Sequence, residues 1–458
     1  MPKAFPIKIG LEVHGYLDTR EKLFCMCRTS GEDKPNSRIC PICTGQPGSK
    51  PMMPNKSAVE KLICIALVLG CKVNHDKELI WQRKHYDWAD LPKGYQDTIS
   101  GAHAVLPAVN GKFKGIRIRE CHLEEDPAAW NPETGKINYN RSGLPLIEIV
   151  TEPDFSSASD VIVWLKDLLL SLSYIKAIKK GAGIKVDVNV STYGERVEMK
   201  NINSLDSIKR AIEYEVERQL ENFEKCIEQK RETLAYDAAT GKTIKMREKE
   251  GAADYRFIPE PDLPVINIDV KWVKELERNL PEMPEVKLEK MIKKYKLDKG
   301  DAEILAKNLD LVEFVEALVD EKVTIKENIS WITIELLRIL NYNRKQLEDV
   351  EIEPKHLAEL IEAVSRGDIT VLKGKQIMND FIPRSFSISK KKDIGMVDDV
   401  ESICKKVITQ NKKAVEDYKS GNESAMNFLV GQVMRLSERR ADHAVSGACL
   451  IELIKKEG

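Results

Sequence analysis

Residues 122–154 read HLEEDPAAWNPETGKINYNRSGLPLIEIVTEPD, and the reading of this stretch decides the fold. Three acids in a row, Glu124, Glu125 and Asp126, stand beside His122. A Gly/Asn-rich turn with Arg141-Ser142-Gly143 follows, and then a short apolar run from Leu144 to Val150 with one carboxylate inside it, Glu148. A carboxylate within an apolar strand is costly to bury unless it is paired, hydrogen-bonded or bound to a metal. The plain alternative is a Glu148 that faces water from a one-sided sheet. Recurrence of the pattern in other strands decides between the two.

It recurs in three places. Residues 7–14, IKIGLEVH, alternate apolar and polar positions, which predicts a half-buried strand with Glu12 and His14 on one face. Residues 185–191, KVDVNVS, put the valines on one side and Asp187 and Asn189 on the other. Residues 197–203, VEMKNIN, carry Glu198 and Lys200 on one face, and Tyr193-Gly194 in the gap predicts a hairpin connection. The Glu124-Glu125-Asp126 triplet is expected just before one of these strands. A face of Glu, Asp, His and Asn is what a hard divalent cation takes, and Mg²⁺ binds carboxylates, water and substrate phosphates together. No G-x-x-x-x-G-K-[ST] occurs, so a nucleotide here is not held by a P-loop.

Between the first strand and this region stand two short knuckles, Cys25-Met26-Cys27 and Cys40-Pro41-Ile42-Cys43, with twelve residues between them. The spacing fits one Zn²⁺ on four thiolates, a closed structural site without an open position for chemistry. The chain has ten cysteines, the other six scattered, and Met1 to Phe5 open without a signal-peptide core. These features favour a reducing, cytoplasmic setting over a disulfide framework. Residues 82–96, with Arg83, Lys84, Tyr86 and Lys93, make a candidate loop for phosphate and ring contacts, and equally an ordinary surface loop. In 254–264, prolines 259, 261 and 264 forbid a central strand or helix, which predicts a rigid loop presenting Tyr255, Arg256, Glu260 and Asp262.

Helices are expected at 57–72, capped by Ser57 with Glu60 completing a capping box, at about 156–178, and at 204–232 capped by Ser204. From about 290 the pattern is all-helical, with Lys390-Lys391-Lys392 as a linker. At 458 residues, 42% hydrophobic and 32% charged, the chain is expected to form several soluble domains. No apolar run approaches the length of a membrane span. The formal net charge of −1 confines any nucleic-acid surface to a local patch. The fold class is therefore α+β: a sheet-rich antiparallel cradle over 1–290, a helical domain over 291–395 and a small helical tail over 396–458.

Taken together, GLEVH at 10–14, LPKGYQ at 91–96, HLEED at 122–126, NRSG at 140–143, PLIEIVTEPD at 145–154, DVNV at 187–190, KNINS at 200–204 and YRFIPEPDLP at 255–264 resemble the B subunit of the tRNA-dependent amidotransferases, the GatB/GatE family. The absence of a large insert after Pro264 favours the B subunit over the archaeal E subunit. The resemblance implies an ATP-dependent ligase that phosphorylates Glu or Asp misattached to tRNA(Gln) or tRNA(Asn) and then amidates it. It implies Mg²⁺ within a shell of Glu12, His14, Glu125, Glu148, Asp187 and Glu198, with Glu124 as the substitute. Lys200 and Asn201 are expected to touch phosphate or ammonia, and Arg83, Lys84, Tyr86, Lys93 and Asn189 to serve the nucleotide. No glutaminase motif is present, so ammonia is expected from the amidase (A) subunit, with the small (C) subunit beside it and the tail holding tRNA. A non-enzymatic tRNA-binding scaffold is the main rival, but a repeated carboxylate face repels phosphates unless a cation intervenes.

Overall fold

The computed structural model describes residues 6–86, 88–179, 183–237, 240–248, 256–390, 395, 397 and 399–456. Tyr255, Lys391, Lys392 and the side chain of Asn201 lie outside the described residues. The chain divides into two compact units, Met1–Met283 and Pro284–Gly458.

The first unit is built on strands β1 (Lys8–Tyr16), β2 (Lys72–Val73), β3 (Gln82–His85), β4 (Tyr95–Thr98), β5 (Ala108–Phe113), β6 (Ile116–Glu125) and β7 (Ala129–Trp130). It continues through β8 (Ile137–Asn138), β9 (Pro145–Thr151), β10 (Ile184–Ser191), β11 (Val197–Ile202), β12 (Glu232–Asp237), β13 (Lys242–Glu248) and β14 (Arg256–Pro259). Twelve of these form one sheet in the order β13-β12-β11-β10-β1-β9-β6-β4-β3-β14, with β2 and β5 attached beside β6. All its pairings are antiparallel except β11 with β12. The alternation legible at 185–191 is realised: Val186, Val188 and Val190 are fully buried on one side of β10. They pack with Ile147, Ile149 and three helices, α1 (Lys56–Val68), α2 (Ala158–Tyr174) and α3 (Leu205–Glu224). Because side chains alternate across a strand, the helices bury the apolar face and the opposite face is left to the polar residues.

The local expectations need four corrections. Helix α1 is capped by Asn55, whose Oδ1 accepts from the Ala58 N–H at 3.3 Å, and not by Ser57. It ends two residues before Gly70, whose φ of +64° turns the chain in a region that favours glycine. Gln82–His85 and Tyr95–Thr98 are paired strands and not a free loop. The prolines of 254–264 do not abolish pairing, because β14 lies at the edge of the sheet, where a missing N–H faces no neighbour. Lastly, His122, Glu124 and Glu125 end strand β6 and do not precede one. Ser157 and Ser204 cap α2 and α3 through their side chains.

The second unit is helical, as its composition predicts. Helices include Pro284–Lys293, Leu309–Asp320, Pro354–Ser365, Ser424–Leu436 and His443–Lys456, and Trp331–Leu336 winds as a π-helical turn before Leu337–Tyr342. Its apolar residues gather in two clusters, one from Met291 to Ile388 and one from Cys404 to Ile454. Among the described residues no helix is long and apolar enough to cross a membrane.

Candidate active site

Strand register brings the polar face together. Glu12 on β1 pairs with Asp187 on β10, and Asn189 pairs with Glu198 on β11. His14 pairs with Lys185 on one side and with Glu148 on the other, and Glu148 pairs in turn with His122 on β6. Directly opposite residues on one face have Cβ atoms about 5 Å apart, close enough for carboxylates and imidazoles to touch. The result is two knots. His14, Glu124 and Glu148 form one and Glu12, Asp187 and Glu198 the other, and in each knot one ligand atom per residue lies within 4.8 Å of the rest.

The first knot is centred on Glu148, whose Oε2 is 3.0 Å from His122 Nε2 and 3.5 Å from His14 Nε2. His122 Nε2 is also 3.6 Å from Glu124 Oε1, and its Nδ1 is 3.2 Å from Glu120 Oε1. Burial disfavours the Glu148 anion, yet His122 and His14 overcome it and hold the carboxyl well below its usual range. Burial also disfavours the His14 cation, but Glu148, with Glu124 and Asp187, raises the ring to about 9.

In the second knot the Lys200 ammonium is 2.8 Å from Asp187 Oδ2 and 2.7 Å from Glu198 Oε1. Asn189 Nδ2 donates to Glu12 Oε1 at 3.2 Å. Burial, then Glu148 and Glu198, pushes the Glu12 carboxyl above its usual range.

The donor set fits a hard divalent cation. Carboxylate oxygens and neutral imidazole nitrogen are suitable ligands, and buried acids crowded as Glu12 is are relieved by positive charge. Glu124 Oε1 and Asn189 Oδ1 are buried and accept no hydrogen bond from any described residue.

The expected Mg²⁺ shell is thus distributed unevenly. Glu12, His14, Glu148, Asp187, Glu198 and Glu124 fall into the two knots, whereas Glu125 belongs to neither. Glu125 instead contacts the Lys93 ammonium, which also reaches Asp97 Oδ2 at 2.5 Å. Arg83 binds Glu260 through Nη2 at 2.8 Å and lies over the Tyr95 ring at 4.5 Å. Lys84 stands 3.8 Å from Glu124 Oε1. A cavity of about 450 Å³ opens beside the knots, lined by Lys84, Tyr86, Glu124, Asp187 and Lys200 among others.

The sequence reading left four contributors out of the site. His122 and Gln96, which donates to Glu124 Oε2 at 3.1 Å, hold the first knot. Arg141, 3.1 Å from Asp126 Oδ2, and Lys185 line the cavity. Had 116–125 been read as a strand, the period-two rule would have put His122 beside Glu124, as it did Glu12 beside His14.

The four cysteines of the knuckles also converge, with their Sγ atoms within 4.8 Å of one another. Cys40 and Cys43 Sγ are 3.9 Å apart, matching the roughly 3.8 Å that four thiolates at 2.3 Å from a tetrahedral zinc would show. Lys22, only 1% exposed, places its ammonium 3.4 Å from Cys43 Sγ and donates to the Tyr139 carbonyl at 3.1 Å. The Cys43 thiol is held down to about 5, first by a hydrogen bond from Cys25 and further by Lys22. The knuckle packs closely on the turn that carries Lys93: a Cβ at Gly45 (φ +64°) would come within 2.4 Å of the Pro92 carbonyl oxygen.

Residues 7–274 match the model of the GatB/GatE catalytic domain, and residues 313–456 match that of the GatB domain. The chain is similar to the B subunit of the aspartyl/glutamyl-tRNA(Asn/Gln) amidotransferase of Methanocaldococcus jannaschii, 42% identical over 98% of this chain and 97% of the relative. The B subunits of Methanopyrus kandleri, at 41% over 99% of both chains, and of Methanococcus aeolicus, at 40% over 100% and 99%, are also similar. The chain belongs to the B-subunit family of the aspartyl/glutamyl-tRNA amidotransferases. The catalytic-domain match spans both knots, the cavity and the four cysteines of this B-subunit family member.

Proposed function

We propose that this chain carries the kinase and transamidase steps of a tRNA-dependent amidotransferase. It acts on Glu or Asp misacylated on tRNA(Gln) or tRNA(Asn), with ammonia delivered by the amidase (A) subunit and the small (C) subunit beside it. The relatives' names supply the substrate class, and one observation carries the chemistry: two carboxylate knots border a cavity that also holds lysines.

A free carboxylate is a poor acceptor of ammonia. A side-chain carboxylate oxygen attacks the γ-phosphorus of ATP, the bond to ADP breaks, and an acyl phosphate forms. Ammonia then attacks the acyl carbon, the carbon–oxygen bond to phosphate breaks, and the amide and phosphate leave after loss of a proton. Such transfer needs positioning and charge neutralisation more than covalent help. Glu12, His14, Glu124, Glu148, Asp187 and Glu198 would hold Mg²⁺, which supplies positive charge to the phosphates. Lys200, anchored on Asp187 and Glu198, and Lys84, beside Glu124, bring fixed positive charge to the cavity wall. Arg83 and Lys93, tied to Glu260, Asp97 and Glu125, hold β3, β4, β6 and β14 in place. Zn²⁺ on Cys25, Cys27, Cys40 and Cys43 is structural. Residues 396–458 form a tRNA-binding tail that follows a helical domain beginning at Pro284, where the cradle ends and not at 290, and the assembly works in the cytoplasm.

The test is ATP turnover by the purified complex with mischarged and with correctly charged tRNA. Phosphate release that depends on mischarged tRNA supports the reading, and turnover indifferent to tRNA charging counts against it.

A further inference from the structure

Four lysine and arginine side chains line the cavity beside the knots, and three of them are committed to acids. Lys84 faces Glu124, Lys200 bridges Asp187 and Glu198, and Arg141 is held by Asp126 and Asp90. Lys185 differs. It pairs with His14 across β1 and β10, which turns its side chain to the polar face and into the cavity. Its ammonium lies 5.7 Å from the centre of the Tyr16 ring, and no described carboxylate oxygen comes within 4.0 Å of it. Asp90 and Asp126, the two acids whose charge it influences, are each already paired with Arg141.

An ammonium at the wall of a cavity without a counter-ion of its own is available to an anionic ligand, and a compact, strongly hydrated Lys suits a phosphoryl group as a point charge. The Tyr16 ring beside it adds a face that favours a cation while leaving its N–H donors unused.

Building on the proposed kinase step, we propose that Lys185 is the cation that binds the terminal phosphoryl group in this cavity. The ligand class is a nucleoside triphosphate, and the contact persists with the acyl phosphate once the phosphoryl group has moved. Lys84, Lys200 and Arg141 shape the wall. Lys185 adds an ammonium that no described acid of the site holds in a close ion pair.

The experiment is equilibrium binding of the non-hydrolysable triphosphate AMPPNP and of ADP, both with Mg²⁺, to the complete complex without tRNA. Lys185→Met should weaken AMPPNP about tenfold, as expected for loss of one charge-assisted phosphate contact, and should weaken ADP clearly less. Lys185→Arg should keep AMPPNP binding within about threefold of wild type, since the charge and donors remain. Lys185→Gln, close in length to the native side chain, repeats the test should the Met variant lose its fold. AMPPNP binding unchanged in both Lys185→Met and Lys185→Gln overturns this inference while leaving the proposed function standing. A wild-type complex that binds neither nucleotide overturns the kinase reading itself, and the role of Lys185 falls with it.

Discussion

His122 Nε2 stands 3.0 Å from Glu148 Oε2, and both residues are held opposite each other by the β6–β9 register. His122 is 2% exposed, so this contact is made away from water. It keeps Glu148 ionised and aimed at His14, and it reaches Glu124 as well. His122 therefore acts on the site through two acids and is a positioning residue. Loss of such outer partners costs about 10- to 100-fold in metal affinity, so His122→Asn should weaken Mn²⁺ binding by that order. Mn²⁺ titration followed by EPR reads it without any activity assay. Unchanged affinity in a folded variant would remove His122 from the site.

The His14 ring gives a pH dependence with a definite sign. Its folded value of about 9 lies above the unfolded value of 6.5, so its pairing with Glu148 stabilises fully below pH 6.5 and is lost as pH rises through 9. In magnesium-free buffer the wild-type Tm should fall between pH 7 and 9.5, and His14→Gln should flatten that part of the curve. Parallel curves for the two proteins would show that the pair contributes nothing. Binding of Mg²⁺ through His14 must also displace a proton, so calorimetry in buffers of different ionisation enthalpy should show proton release at pH 7.5.

The knuckle should hold about one zinc per chain after purification without chelator, and Cys40→Ser should lose it. Lys22 is a buried ammonium that bonds a thiolate and a carbonyl. Lys22→Met should retain zinc but release it faster to a chromogenic chelator, because the excess negative charge of four thiolates on one Zn²⁺ then loses its buried counter-charge. Equal release rates would reduce Lys22 to a packing role.

Deleting residues 396–458 should leave the cradle folded and zinc-bound and raise the KM for tRNA with little change in kcat, as expected when binding energy is lost far from the chemistry. The separate apolar cluster from Cys404 to Ile454 motivates the cut. Aggregation or zinc loss in the truncated protein would move the boundary.

Much of the sheet face was legible because a period of two is a strong signal wherever one side is apolar, as in 185–191 and 7–14. Register was not legible. Nothing in the spacing says that Glu148 lies between His14 and His122, since that depends on which strands are neighbours. For the same reason one expected metal shell resolves into two knots, and Glu125 turns to Lys93. Strand β6 escaped notice because its end, HLEE, is too polar to read as a strand until its partners are known. Asp187 and Glu198 lie on the polar faces of their strands, yet they are only 6% and 8% exposed. Alanine there would leave Lys200 short of a partner, so isosteric amides are the sounder variants.

Phosphoryl transfer at this face is tested most directly by phosphate release in the complete complex carrying Asp187→Asn or Glu198→Gln. With mischarged tRNA and ATP, each variant should lose release by at least about a hundredfold, since an acid that would hold the cation neutralising the transferring group is removed. Binding of tRNA at fixed salt, and glutamate production by the amidase partner, should persist. Normal phosphate release together with lost tRNA binding would make the face a docking surface and contradict the catalytic assignment.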